Sequence, residues 1–337
     1  MKKKALLICD QVPYPCVNGG ISRLVADYET YVLCEFDVHV LSYRYDEDLI
    51  QLHHRGRPVP GPVNPQDLLA TPFSLVILFN YDTDFRQDSF IRPFLTRFPC
   101  FQFLQIHPVA GMDDGCFRGT LALSFSSPQE NVVAGGFYNS SVFFRRNEHS
   151  DEFILSIARI HKDKNQLELV GGYKERIYRK YGLPLYLVGG GGIRHGEDTY
   201  FQQVMGFVDG SAIIATANPT QPLAPGNWLK APELAALLHR ARLFVMSSPQ
   251  ESFCIALLES LACGTTCVVN GKYSGLRPEH LCPQVFDSVS EKRGSILDWV
   301  EAALEKDVRI DGSTWARQFS LAEIKPKVLQ FLQKRCG

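Results

Sequence analysis

The chain lacks an excess of either charge: 35 Lys and Arg stand against 36 Asp and Glu, a net charge of −1 over 337 residues. It therefore has no overall basic field to advertise nucleic acid, and none is expected as a partner. None of its 10 cysteines forms a Cys-x-x-Cys pair. The paired ligands of a structural zinc site are missing at that spacing. The cysteines sit scattered, several in apolar runs, as small core residues do in a reducing compartment. The 26 Gly and 20 Pro show no fibrous or low-complexity bias. No run of about eighteen apolar residues exists, so no membrane span is expected. Met1-Lys2-Lys3-Lys4 imitates the basic start of a signal peptide, but the apolar run Ala5–Cys9 behind it is too short and ends at Asp10. A cytoplasmic location is the expectation, and peripheral contact with a membrane stays open.

What is present is an alternation of short apolar runs with helical periodicity. Ala5–Cys9, Val38–Ser42, Leu75–Phe79, Phe101–Ile106 and Leu121–Phe125 read as strands in the first half. Ile21, Leu24, Val25, Tyr28 and Val32 recur at helical spacing after the first of them. The polar stretch Arg145–Glu152 interrupts the pattern and reads as a linker. The alternation then restarts. Phe153–Ala158, Leu185–Val188, Ala212–Ala215, Leu243–Ser247 and Thr266–Val269 read as strands; Gln166–Tyr181, Pro232–Arg240 and Phe253–Ala262 read as helices. Arg57–Pro65 and Asn218–Gly226 are Pro-rich and read as surface loops. Strands separated by helices imply parallel sheets covered on both faces. The expected fold is α/β: two Rossmann-like parallel-sheet domains, with ligands at the carboxyl ends of the strands and a central cleft between the domains.

Two segments concentrate the polar chemistry. In Ser247–Val269 an apolar strand runs into a polar turn, then Glu251, then an apolar helix that carries Glu259. Free backbone N–H groups at such a helix start favour anions, which suits a phosphate. Glu259 lies among Ile255, Ala256, Leu257, Leu258 and Leu261, where a carboxylate is costly without a partner. A capping role for Glu251 and a solvated edge for Glu259 are the plainer alternative. In Phe153–Asn165 a strand is followed by Arg159 and Lys164, two cations able to meet a diphosphate. A solvated loop is the plainer alternative there.

Both segments resemble the signatures of the retaining glycosyltransferases of family 4, which have the GT-B fold. Glu251, Phe253, Glu259, Ala262, Gly264 and Val268 fall in register with that family's Glu-(seven residues)-Glu motif. Ser252 and Cys254 replace two usual glycines, and Thr266 a usual proline. Arg159 and Lys164 match the family's spacing, with Asn165 where Gly is usual. Leu185–Gly192 resembles its strand ending in Gly-x-Gly, and Pro13…Gly19-Gly20 its first glycine loop. His107 follows the strand that often ends in a His in this family.

The resemblance implies two domains. One spans 1–147, with a last helix at about 313–337 packing back on it; the donor domain spans 148–312. It implies transfer of a hexose-type sugar from a nucleoside-diphosphate sugar, most simply a UDP or GDP sugar, to a glycan, lipid-linked or small-molecule acceptor. Glu251, Arg159, Lys164 and His107 would serve catalysis. Gly19, Gly20, Gly190, Ser252, Phe253, Cys254, Ile255 and Glu259 would hold the donor. No cofactor and no metal would be required, because cationic side chains meet the diphosphate. A non-catalytic nucleotide-sugar-binding subunit and a nucleotide-sugar epimerase of the same fold are the alternatives. An exported two-lobed solute-binding protein fits less well without a signal.

Overall fold

The computed structural model describes residues 2–9, 20–44, 49–79, 89–104, 117–122, 132–146, 150–191, 198–218, 220–221, 227, 229–249, 251, 254–270, 286–287 and 294–336. The chain divides into two compact units: Met1–Phe137 with Leu321–Gly337, and Tyr138–Ser320. Residues 138–147 and 313–320 thus group with the second unit rather than the first.

The first unit holds an eight-stranded sheet. Its strands are β1 (Lys4–Cys9), β2 (Asp37–Arg44), β3 (Leu49–His54), β4 (Arg57–Pro58), β5 (Phe73–Phe79), β6 (Cys100–Leu104), β7 (Thr120–Ala122) and β8 (Val132–Ala134), in the order β4-β3-β2-β1-β5-β6-β7-β8. From β2 to β8 through β1 and β5 the pairing is parallel. The edge formed by β2, β3 and β4 is antiparallel.

The loop expected at Arg57–Pro65 is trimmed at its ends, where β4 takes Arg57–Pro58 and the helix Pro65–Ala70 begins; residues 59–64 between them carry no regular structure. Arg55 and Gly56 both have positive φ, 53° and 68°, the backbone of a two-residue hairpin turn. β3 was not expected either, since its two histidines and single Gln hide the alternation of an edge strand.

One face of the sheet buries Leu6, Ile8, Leu41, Tyr43, Phe73, Val76 and Leu78 with Ile91 and Phe94. Across the first unit, Tyr28 packs edge-on to Phe79 and Phe103 and donates to the Gly135 carbonyl at 2.9 Å. The last helix, Leu321–Cys336, sets Phe331 against Phe101 and takes the Arg118 guanidinium on the Arg335 carbonyl.

Asp27 ends the helix Gly20–Asp27. Burial raises its carboxyl to about 6, against the pull of Arg23. Between about pH 4 and 6 the native state holds a proton that the unfolded chain has released, so stability falls as pH rises through that window. Asp27→Asn is expected to remove about 2–3 kcal/mol of that dependence, read from denaturant midpoints at pH 4 and pH 7.

The second unit holds a six-stranded sheet, parallel throughout. Its strands are β9 (Phe153–Ile157), β10 (Leu185–Val188), β11 (Ile213–Ala215), β12 (Ala241–Met246), β13 (Cys267–Val269) and β14 (Phe286–Asp287), ordered β11-β10-β9-β12-β13-β14. Renumbered within the unit, this is 3-2-1-4-5-6, the doubly wound order. Its strand sequence reverses between β9 and β12, and the carboxyl ends of those two strands open a crevice.

Every residue of β12 is buried, as expected of a central parallel strand with both faces covered. On one face Ile154, Leu187, Leu243, Val245 and Val268 pack with Tyr173, Ile177, Phe201 and Val300. The single helix expected over Gln166–Tyr181 is broken. Gln166–Val170 stops at Gly171-Gly172, where Gly172 has φ +144°, before Lys174–Tyr181 resumes. Among the described residues no helix is long and apolar enough to cross a membrane.

Candidate functional site

The crevice between β9 and β12 is built from the two loops that leave them. After β9 the chain forms a short turn, Lys162–Lys164, and Asn165 then takes the left-handed conformation at φ 53°, ψ 35°. Asn tolerates that region better than most residues, so it can stand where the resembled family has Gly. Its side chain also donates to Glu168.

Gln166 is buried and pins the loop from inside. Its amide donates to the Arg159 carbonyl at 2.8 Å and its oxygen accepts from His161 N at 3.3 Å. Arg159 is half-buried, and its guanidinium has no hydrogen-bond or ion-pair partner among the described residues.

After β12 come Ser247 and Ser248, both buried, and then Glu251. The Ser247 hydroxyl donates to the Lys164 carbonyl at 2.7 Å, tying one loop to the other. Asn270, just beyond β13, donates to the Ser247 carbonyl at 3.2 Å. The Lys164 ammonium meets Glu251 Oε1 at 2.6 Å, and the Ser248 hydroxyl donates to the same oxygen at 2.6 Å. The side chains of Lys164 and Glu251 are 24% and 11% exposed. The pair is thus partly exposed, Lys164 more so than Glu251.

The helix Ile255–Ala262 follows, with Cys254 as its N-cap; Cys254 Sγ accepts from Leu257 N at 3.4 Å. Cys254 has φ −101°, an ordinary extended value, so the backbone here does not require the glycine usual in the family. Burial pushes its thiol up, with Glu251 and Glu259 adding to the shift and Lys164 opposing it. The thiol is thus a neutral cap rather than a nucleophile. Cys254→Gly is expected to cost no more than about 1 kcal/mol in a denaturant melt and to leave turnover near wild type.

Glu259 is fully buried within the helix. It raises the Cys263 thiol, second to burial itself. Gly264 ends the helix at φ +78°, as a left-handed C-terminal glycine should. Thr266 accepts from Ile310 N at 2.9 Å through its hydroxyl, a bond that the family's proline could not provide.

The glycines after β10 bind the backbone that follows β9. Gly190 offers its carbonyl to Ile160 N at 2.7 Å, which locks the backbone after β9. Gly189 is the more demanding position: its φ is +141°, and a Cβ there would lie 2.1 Å from the Ala158 carbonyl oxygen. Gly189 N also donates to Thr216 Oγ1 at 3.1 Å.

The structure therefore brings Glu251 and Lys164 together, places Arg159 on the same loop as Lys164, and sets Cys254, Ile255 and Glu259 on the helix that follows Glu251. Gly20 is the exposed first residue of a helix in the other unit. Gly19, His107, Ser252 and Phe253 lie outside the described residues, as do two Asp-x-Asp tripeptides, Asp46–Asp48 and Asp82–Asp84. Ser247, Ser248, Gln166 and Gly189 were not anticipated. The polar Ser247-Ser248 pair at the end of an apolar run was the one available signal.

Residues 227–282, which span β12, Glu251, the helix Ile255–Ala262 and β13, match the family model described as "Glycosyl transferases group 1". Sucrose-phosphate synthase from Thermosynechococcus elongatus is 16% identical, with a TM-score of 0.64 over 99% of each chain. The Anabaena protein HepE, solved in complex with UDP, is 13% identical, with a TM-score of 0.62 over 99% of this chain and 100% of that one. The lipopolysaccharide outer core galactosyltransferase WaaB, in its apo form, is 11% identical, with a TM-score of 0.58 over 98% and 99%. No curated protein matches in sequence. At such identities the likeness establishes the fold: this chain has the two Rossmann-like α/β units of GT-B glycosyltransferases.

Proposed function

We propose that the chain is a metal-independent, retaining glycosyltransferase that moves a hexose-type sugar from a nucleoside-diphosphate sugar to a glycan, lipid-linked or small-molecule acceptor. The observation that carries this reading is the Lys164–Glu251 pair at the point where the strand order reverses, 2.6 Å apart and followed by a helix N-terminus. Glu251 falls on the segment that matches the glycosyltransferase model, and Lys164 lies outside it. UDP in the HepE complex supports a uridine nucleotide as the first donor to try; GDP is the second.

Breaking a glycosyl–diphosphate bond gives the anomeric carbon oxocarbenium character and places charge on the leaving phosphate. Lys164 and Arg159 supply fixed positive charge, and the N–H groups at the start of helix Ile255–Ala262 add oriented dipoles. Glu251 would hydrogen-bond the donor sugar and, without donor, keeps Lys164 in place. Glu259 would hold the ribose hydroxyls. His107 and the Gly19-Gly20 loop, by the family resemblance, would orient the sugar. In a front-face reaction the diphosphate takes the acceptor proton as the acceptor oxygen bonds to the anomeric carbon. No separate base is then required.

Full-length protein incubated with UDP and GDP sugars, a glycan acceptor panel and chelator tests this reading, with products identified by mass spectrometry. Transfer with retained anomeric configuration, persisting in chelator, is expected. Conversion of the donor without any acceptor would mean an epimerase. Binding of nucleotide without turnover of any donor would mean a binding subunit.

A further inference from the structure

We propose that the antiparallel edge of the first unit carries a transition-metal site, formed by Asp37 and His39 of β2 and His54 of β3. The register places Asp37 and His39 two residues apart, on one face of β2, with His54 directly opposite His39. The two imidazoles stack at 4.7 Å and 13°. His54 Nε2 lies 2.8 Å from Asp37 Oδ1, and His39 Nε2 lies 3.7 Å from Asp37 Oδ2. One ligand atom from each residue lies within 4.8 Å of the others. Around a tetrahedral Zn²⁺ with bonds of about 2.0–2.1 Å, ligand atoms sit roughly 3.3 Å apart, so the set closes when the two rings turn out of their stack to aim their in-plane lone pairs at one ion, with atom movements of about 1–2 Å.

A second observation points the same way. His39 Nε2 is buried and has no hydrogen-bond partner among the described residues. A buried ring nitrogen left unpaired is costly. Binding a metal would satisfy it, with the Asp37 carboxylate as the charged third ligand.

Two imidazoles and one carboxylate select a borderline or soft dication, such as Zn²⁺, Co²⁺ or Ni²⁺, over Ca²⁺ or Mg²⁺. The side chains are 19–34% exposed, so an ion can enter. Asp37 and His39 lie at the amino end of β2, whereas ligands of parallel sheets bind at the carboxyl ends. The site therefore cross-links β2 to β3 and stiffens the sheet edge. It takes no part in sugar transfer, and the proposal stands whether or not the transferase reading does.

The test is titration of the full chain with Co²⁺ and Zn²⁺ alone, followed by visible absorption and thermal unfolding. One equivalent of Co²⁺ should give d–d bands that Zn²⁺ abolishes. Saturating Zn²⁺ should raise the unfolding midpoint by at least about 2 °C. Asp37→Asn, which keeps the shape of the carboxylate, and His54→Ala should each weaken binding at least tenfold. Cys34→Ser, at an exposed thiol on the same unit, should leave it unchanged. Absence of the bands, or bands unaffected by both site variants, would overturn the proposal.

Discussion

Lys164→Ala is expected to lower turnover by about 10²–10³-fold, the loss typical when one preorganised group facing developing charge is removed. The ammonium is 2.6 Å from Glu251 and reaches it from the loop after β9, while Ser247 holds that loop through the Lys164 carbonyl. The backbone bond survives the substitution, so the loop should keep its path. Glu251 would lose its counter-charge but keep the Ser248 hydroxyl. With the pair partly exposed, the cost in stability should stay near 1–2 kcal/mol, well short of unfolding. Kinetics measured beside a denaturant melt separate the two effects. Turnover within threefold of wild type would remove Lys164 from the mechanism.

Gly189→Ala is expected to be among the most destabilising single-methyl additions in the second unit. The residue sits at φ +141°, where L side chains are strained, and the new methyl would stand 2.1 Å from the Ala158 carbonyl oxygen. Strain of about 1–3 kcal/mol adds to an overpacking cost of about 1–3 kcal/mol. Relief requires β9 and β10 to separate just where Ala158 N binds the Val188 carbonyl and Ile160 N the Gly190 carbonyl. Arg159 lies between those two bonds, so activity should fall along with stability. Gly210→Ala is the control: φ is +75° there, but a Cβ meets nothing within 4 Å. Its cost should be the backbone strain alone, about 1–2 kcal/mol. Equal effects in denaturant melts would refute the steric argument.

The central strands were legible because their burial on both faces writes nearly unbroken apolar runs, as in Ala241–Met246. Edge strands write weaker signals. β3 carries His53 and His54, and β14 has two residues, so neither stood out. The break at Gly171-Gly172 was open to detection, since two glycines in a helix are a cost that only a turn explains. Strand order was not. Nothing periodic in the sequence says that β12 lies beside β9, and this adjacency creates the crevice.

The candidate site divides the same way. Glu251, Lys164 and Arg159 were visible as residue types at a spacing. Their union across 87 positions was not. The departures from family pattern acquire physical reasons in three dimensions. Asn165 can adopt the left-handed backbone, Cys254 sits where none is needed, and Thr266 uses its hydroxyl. Gln166 acts by bonding a backbone carbonyl of its own loop and Ser247 by bonding one of the opposing loop, roles no motif encodes.

The most direct measurement of the central claim is calorimetric titration of the full chain with UDP and, in parallel, GDP, each with chelator present. The site described here predicts one-to-one binding of at least one of them, unaffected by chelator and weakened tenfold or more in Lys164→Ala. Failure of both nucleotides to bind, or equal affinity in wild type and Lys164→Ala, would contradict it.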